Sequence, residues 1–363
     1  MKILVVAGAS GGHIFPAASF ICALQDKQEG TETLLVLASR SIKTGIVLDK
    51  YKVRYISISG ISRSIDISNL IALGKFLKGT WESLKIIVEF KPEIVVGFGG
   101  LDCIPCLFFA WLFRIKTLIH EQNVLPGRAN RLLAKFVDRV AVSFSETKDY
   151  LNINPGKIVV TGNPLRRQLK QIDQTRALDF FGLDKDKLTL LVMGGSQGSQ
   201  HINTEFLRAA ALLKDASKLQ VIHLTGTGSC AAIKQAYNKI RITARVFGFF
   251  TDMEQAYSAS DLVISRSGAT TVTELIFFGK PAIISPYPYA YSHQLENARI
   301  LKEKGCAVVI KDAELDKDVL RQTLESFINN PAEIEAMRSG FRDLAKPDAA
   351  SLLAEEALSL ELQ

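Results

Sequence analysis

No apolar run in this 363-residue chain is long enough to cross a bilayer; the longest, residues 103–113, stops at Arg114. A signal peptide is not expected either, because the opening apolar run 3–7 is short and enters a glycine loop directly. Cysteine is sparse, odd in number and scattered (Cys22, Cys103, Cys106, Cys230, Cys306), which argues against a secreted disulfide framework. The one C-x-x-C, Cys103 to Cys106, has no second pair for zinc and lies in an apolar stretch, so a structural role is expected. Zinc-finger spacing and basic-aromatic RNA motifs are missing, and the basic residues are dispersed, so nucleic acid is not an expected partner. The excess of 44 Lys and Arg over 37 Asp and Glu, +7 in all, instead favours anionic ligands or an anionic membrane surface.

The chain does contain two glycine-rich loops, half a chain apart, each straight after a short apolar run. The first is Gly8-Ala9-Ser10-Gly11-Gly12-His13, the second Gly194-Gly195-Ser196-Gln197-Gly198. A buried strand, a turn with few side chains and a helix start leave free backbone N–H groups and a positive dipole end at one spot, which suits a diphosphate. Apolar runs alternate with longer amphipathic segments: 3–7, 34–38, 53–58, 94–97, 117–119, 139–142 and 158–161, then 188–193, 220–225, 244–247, 262–265, 282–285 and 307–310. That alternation predicts an α/β protein with parallel sheets. The length suits two domains, expected at 1–162 and 163–340, with Gly162-Asn163-Pro164 as the hinge and a C-terminal helix in 341–363 packing back on the first.

Common nucleotide motifs do not fit. A dinucleotide fold needs G-x-G-x-x-G and an acid at the end of the next strand, yet that strand ends Ser39-Arg40 in the first half and Thr225-Gly226-Thr227-Gly228 in the second. The Gly-Lys pairs run into Phe76, Ile158 and Pro281 rather than the Ser or Thr of a P-loop. What remains is a diphosphate whose ribose is held by another group. In residues 265–274 (SRSGATTVTE) a strand ends, Ser267-Gly268 turns the chain and a helix begins, so Thr270 and Glu274 share one face. Glu274 can accept two hydrogen bonds from a ribose diol. Gln294 and Asn297, three apart on a further helix, carry amides suited to sugar hydroxyls.

Seven segments in order resemble the GT-B glycosyltransferases, and within them the MurG family. They are 8–17 (GASGGHIFPA), 120–123 (HEQN), 162–166 (GNPLR), 194–198 (GGSQG), 249–253 (FFTDM), 265–274 (SRSGATTVTE) and 293–297 (HQLEN). The resemblance implies two Rossmann-like domains facing a central cleft. It also implies an inverting transfer of N-acetylglucosamine from UDP-N-acetylglucosamine to undecaprenyl-diphospho-N-acetylmuramyl-pentapeptide, with no cofactor and no catalytic metal. It places the enzyme peripherally, on the cytoplasmic face of the plasma membrane. By the same resemblance Ser196 and its loop hold the donor diphosphate, Glu274 the ribose and the Phe250 backbone the uracil, with Arg166 near the nucleotide. Asn123, Thr270, Thr271, Gln294 and Asn297 line the sugar end; Ser10, Gly11, Gly12 and His13 face the acceptor pyrophosphate. The chain departs from the family at Ser10 (usually Thr), Thr270 (usually Leu), His293 (usually Gln) and in the acceptor-side loop 99–105. Two other readings stay open: a GT-B transferase with another lipid or glycan acceptor, and a sugar-nucleotide-binding partner without catalysis.

An inverting transfer needs a base for the acceptor hydroxyl and positive charge for departing UDP. His13, at a predicted helix start whose positive end would keep it neutral, is the first base candidate, unless it only binds pyrophosphate; Glu121 is the second. Helix ends with Arg166 or Arg266 are expected to hold the leaving group. Asp184-Lys185-Asp186 and Asp316-Lys317-Asp318 spell a metal motif, but their polar turns predict solvated charges or caps. Leu70, Leu73, Phe76, Leu77, Trp81 and Leu84, interleaved with Lys75, Lys78 and Lys85, form a stripe that either docks on a membrane or faces the core; Phe108, Phe109, Trp111 and Phe113 could extend it.

Overall fold

The computed structural model describes residues 1–39, 50–58, 67–195, 198–226, 228–240, 242–290, 292–342, 344 and 348–362, without the side chains of 67–71 and 362. The chain forms two compact units, Met1–Arg166 with Lys346–Gln363, and Arg167–Ala345.

In the first unit β1 (Lys2–Ala7), α1 (Gly11–Lys27), β2 (Glu32–Ala38), β3 (Val53–Ile56), α2 (Ile67–Phe90), β4 (Ile94–Gly97), α3 (Cys103–Leu112), β5 (Lys116–Glu121), α4 (Arg128–Leu133), β6 (Arg139–Val142) and β7 (Ile158–Val160) follow one another. The strands pair in parallel in the order β3-β2-β1-β4-β5-β6-β7. A parallel sheet is covered on both faces, so its strands read as continuous apolar runs. The two-residue period then divides each strand between two cores. Ile3, Val5 and Ala7 pack with Ile14, Ala17, Phe20 and Ile21 of α1. Leu4 and Val6 face the other way, onto Ile86 and Ile87 of α2 and Cys106, Leu107 and Ala110 of α3.

The second unit runs α5 (Gln174–Phe181), β8 (Leu188–Met193), α6 (Gln200–Ala210), β9 (Leu219–Leu224), α7 (Cys230–Ile240), β10 (Thr243–Phe247), α8 (Met253–Ala259), β11 (Leu262–Ser265), α9 (Ala269–Phe278), β12 (Ala282–Ile284), α10 (His293–Glu303), β13 (Ala307–Val309), α11 (Lys317–Asn329) and α12 (Pro331–Ser339). Its parallel sheet has the order β10-β9-β8-β11-β12-β13. The last helix, α13 (Ala349–Ser359), belongs to the first unit, where Leu353, Ala354 and Ala357 join the core under α1. Lys27 to Glu355 (2.6 Å) and Arg139 to Glu356 (2.9 Å) tie it down at the rim.

Each predicted strand falls on an observed one, with ends moved by at most two residues. The order of each sheet reverses between its first strand and the one beside it, at β1/β4 and at β8/β11. Ligands of open α/β sheets bind beyond the C-terminal strand ends at that crevice. The glycine loops follow β1 and β8, and the SRSG turn follows β11, so three of the sequence motifs lie at the two crevices.

Candidate active site

In the first unit α1 starts at Gly11, with Ser10 as an extended N-cap whose side chain makes no cap bond. The hydroxyl of Ser10 instead lies 3.2 Å from His13 Nδ1. Gly8 and Gly99 flank the imidazole: a Cβ on Gly8 would come within 2.5 Å of Nδ1, and one on Gly99 within 3.3 Å of Nε2. Gly99 also has φ +85°, a conformation few other residues adopt. Burial pushes the His13 pKa from 6.5 down to about 4. The imidazole is therefore neutral near pH 7, as the sequence reading requires, but burial is the cause rather than the helix end expected there.

At the end of β5, His120 is fully buried. Its Nε2 faces the carbonyl of Gly162 at 2.9 Å and its Nδ1 faces Gln122 Nε2 at 3.2 Å, and burial lowers its pKa to about 4. These partners match an Nε2–H tautomer, with Gln122 donating to Nδ1.

Glu121 is only 1% exposed. Asn123 donates to one oxygen through N and Nδ2 (2.9 and 3.1 Å); Gly127 N and Asn130 Nδ2 donate to the other (3.0 and 2.8 Å). Two donors on each oxygen leave it little capacity for a substrate proton. This corrects the second base candidate: Glu121 anchors the 121–130 loop and orients Asn123. Arg166 stacks its guanidinium over Phe15 of α1, 4.9 Å from the ring centre.

In the second unit Ser196 and Gln197 lie outside the described residues. Gly198 has φ +79°, and a Cβ there would approach Thr225 O to 2.3 Å, so the loop after β8 rests directly on the end of β9. Ser199 caps α6, accepting from Ile202 N at 3.4 Å. Arg266, the residue after β11, is almost fully buried. It donates through Nη2 to Ser199 Oγ (2.9 Å) and through Nη1 to Ser285 O and Oγ (3.0 and 3.2 Å), and it pairs with Asp312. The guanidinium expected to hold a leaving group is thus spent on tying α6 to the ends of β11 and β12. The correction follows from its burial and from the count of its acceptors.

Glu274 sits one turn into α9, and the buried Tyr257 of α8 donates to its Oε2 at 2.8 Å. Thr270 and Thr271 occupy the first turn of α9; Thr270 Oγ1 is buried with no hydrogen-bond partner among the described residues. Gln294 Oε1 accepts from Ser267 N (3.2 Å) and Tyr287 N (2.9 Å), and Ser267 Oγ donates to Gln294 O (2.7 Å). Asn297 has no exposed surface and donates to Ser267 O at 3.1 Å. It braces the turn before α9 from behind, which corrects the expectation that it lines the sugar. The Phe250 ring packs on Phe247 and Phe181 at 4.7 and 5.6 Å between centroids, which fixes the loop that carries its backbone.

The metal motifs are turns and caps. Asp316 caps α11 by accepting from Asp318 N and Val319 N, and Asp184 accepts from Asp186 N. Among the described residues no group of three metal-ligating side chains is found. Cys103 and Cys106 are buried free thiols whose pKa values are raised by burial.

The stripe on α2 divides. Leu73, Leu77 (62% exposed) and Trp81 (68% exposed) point outward, whereas Phe76 packs against the core, so its place in an outer stripe is corrected. The side chain of Leu70 lies outside the described residues. Next to α2, α3 exposes Phe108, Trp111, Leu112 and Phe113, and Trp111 meets Phe136 edge-on at 5.5 Å. No helix among the described residues is long and apolar enough to cross a membrane.

The sequence matches the glycosyltransferase family 28 N-terminal domain over residues 3–142 and the C-terminal domain of the same family over 189–353. It is 36% identical over 359 residues to a UDP-N-acetylglucosamine--N-acetylmuramyl-(pentapeptide) pyrophosphoryl-undecaprenol N-acetylglucosamine transferase of Desulforamulus reducens, covering 97% of this chain and 96% of that protein. A protein of the same name from Listeria monocytogenes is 35% identical, covering 99% of both chains. The crystal structure of Acinetobacter baumannii MurG superposes with a TM-score of 0.79 at 28% identity, covering 99% of each chain.

Proposed function

The chain belongs to the MurG family of glycosyltransferase family 28, and on that premise we propose that it moves N-acetylglucosamine from UDP-N-acetylglucosamine to undecaprenyl-diphospho-N-acetylmuramyl-pentapeptide. The observation that carries this reading is the identity of about 35% to transferases of that name along nearly the whole of both chains. The glycine loops at both sheet crevices support it independently.

In this reading the second unit takes the donor. The start of α6 and the loop containing Ser196 receive the diphosphate, because backbone N–H groups of a helix start favour negative charge. Glu274, positioned by the hydrogen bond from Tyr257, receives the ribose diol. The Phe250 backbone meets the uracil. Gln294, whose carbonyl oxygen is taken by two backbone amides, offers its NH₂ to the sugar beside Thr270 and Thr271. Asn123, oriented by Glu121, is assigned to the sugar and Arg166 to the nucleotide.

The first unit takes the acceptor, its diphosphate at Ser10, Gly11 and Gly12 at the start of α1. His13 is the base. With Nδ1–H donating to Ser10 Oγ, the lone pair of Nε2 takes the proton of the acceptor hydroxyl. The oxygen forms its bond to the anomeric carbon as the bond to the UDP oxygen breaks, with inversion, and UDP leaves with the electron pair onto positive helix ends. The exposed aromatic face of α2 and α3, with Lys75, Lys78 and Lys85 beside it, rests on the anionic inner face of the plasma membrane, where the lipid acceptor lies.

One assay tests the reading: purified protein with labelled UDP-N-acetylglucosamine and either the undecaprenyl-diphospho-muramyl-pentapeptide or other lipid acceptors. Label is expected in the muramyl lipid alone. Transfer to another lipid would move the acceptor assignment, and UDP-sugar binding without any transfer would make the protein a binding partner.

A further inference from the structure

His223 is the next-to-last residue of β9 and is fully buried. A buried imidazole needs partners for both nitrogens. Nδ1 faces Tyr237 Oη of α7 at 2.8 Å, and Nε2 faces Asn203 Oδ1 of α6 at 3.0 Å. Asn203 in turn donates through Nδ2 to the carbonyl of Thr225 at 2.9 Å. Because Asn203 presents its oxygen to the ring and its NH₂ to the carbonyl, the hydrogen bonds run one way. Tyr237 donates to His223, His223 to Asn203, and Asn203 to Thr225.

The chain ends at a sensitive spot. Thr225 O is the atom that a Cβ on Gly198 would strike at 2.3 Å, so this carbonyl lies against the backbone of the second glycine loop. Asn203 is in the first turn of α6, and its own N–H bonds back to Ser199 O at 2.9 Å. One side chain thus links the start of α6 to the end of β9. A carbonyl directed at a diphosphate would repel it, whereas one held by an amide donor directs its lone pair away.

We propose that Tyr237, His223 and Asn203 are positioning residues for the donor diphosphate, a buried hydrogen-bond relay that holds Thr225 O and the start of α6 in the geometry the diphosphate requires. The proposal rests on the donor reading above. Burial lowers the His223 pKa to about 3, so the ring stays neutral, with one donor and one acceptor, throughout the physiological range.

The test compares UDP with uridine, titrated calorimetrically into the full chain. His223→Leu is expected to weaken UDP about tenfold, the worth of roughly one net hydrogen bond. Uridine, which lacks the diphosphate, should keep its affinity. His223→Gln restores a donor toward Asn203 and should recover most of the loss. Tyr237→Phe removes only the outermost donor and should weaken UDP about two- to threefold. The proposal is overturned if UDP and uridine weaken together, which marks a merely structural role, or if neither changes in His223→Leu. Should His223→Leu fail to fold, the Tyr237→Phe titrations decide by the same comparison. Wild-type protein that binds neither UDP nor UDP-N-acetylglucosamine would overturn the donor reading itself.

Discussion

The two glycine loops follow equivalent strands of two similarly ordered sheets, yet they are built differently. The described surroundings of the loop after β8 are heavily braced. Arg266 ties the α6 cap to β12, Asn203 ties α6 to β9, and Gln294 with Asn297 clamps the turn before α9. The loop after β1 has a reactive-type side chain, His13, between two glycines, with Ser10 as its ring's hydrogen-bond partner among the described residues. Heavy bracing suits a cradle that must hold one shape around a ligand, since preorganised groups lose little freedom on binding. Light bracing suits a group that exchanges a proton.

The contrast breaks most sharply at His13. His13→Ala should lower turnover about 10²- to 10⁴-fold while UDP-N-acetylglucosamine affinity holds, because the proposed donor site is on the other unit. His13→Asn keeps a polar contact without the basicity; if it retains most of the wild-type rate at saturating acceptor, His13 binds rather than deprotonates. With a pKa near 4, the wild-type rate should be flat around neutrality and fall as pH drops through about 4, where the base becomes protonated. Melting curves belong beside that profile. The unfolded chain takes up protons on His13, His120 and His223 near pH 6.5 that the folded chain refuses until about 4, 4 and 3. Stability should therefore decline as pH falls from about 6.5, by about 1.4 kcal/mol per pH unit for each imidazole.

The next largest effect sharpens the donor side. Glu274→Ala should weaken UDP-sugar binding by about 1.5–3 kcal/mol, as for hydrogen bonds to a charged group. Unchanged binding by calorimetry would remove the ribose assignment. On the acceptor side, Lys75→Glu with Lys78→Glu should weaken sedimentation with anionic vesicles by about 1 kcal/mol for each lysine. Trp81→Ser should add to this, whereas Phe76→Ser should chiefly lower the melting temperature, since Phe76 faces the core. If vesicle binding is indifferent to all of these, the exposed face has another use. Smallest of all, Asp316→Ala should cost about 1 kcal/mol of stability through the lost α11 cap and leave turnover unchanged. A collapse of turnover there would revive the metal motif.

The strands and crevices were legible because parallel strands buried on both faces must be written as unbroken apolar runs, and glycine must follow where backbone meets backbone. Leu188–Met193 followed by two glycines states both facts in a few letters. The bracing was not legible. Tyr257 is 17 residues from Glu274, and Tyr237 lies 14 from His223; nothing in composition or period links them. Arg266 reads as a ligand cation because a lone arginine beside a glycine turn often is one, and only its acceptors beyond the ends of β12 and β13 reveal otherwise. Glu121 misleads for the same reason, since its four donors come from the fold of the following loop.

The return of α13 to α1 sets an order of events during synthesis. The face of α1 that carries Phe20 and Ile21 shares its core with Leu353, Ala354, Ala357 and Leu360. The ribosome delivers those residues only after the whole second unit. The unit translated second can close its core while the unit translated first still lacks a wall. A nascent chain arrested before residue 349 thus holds one finished half and one with an apolar flank open to solvent, the condition in which chaperones engage and aggregation begins.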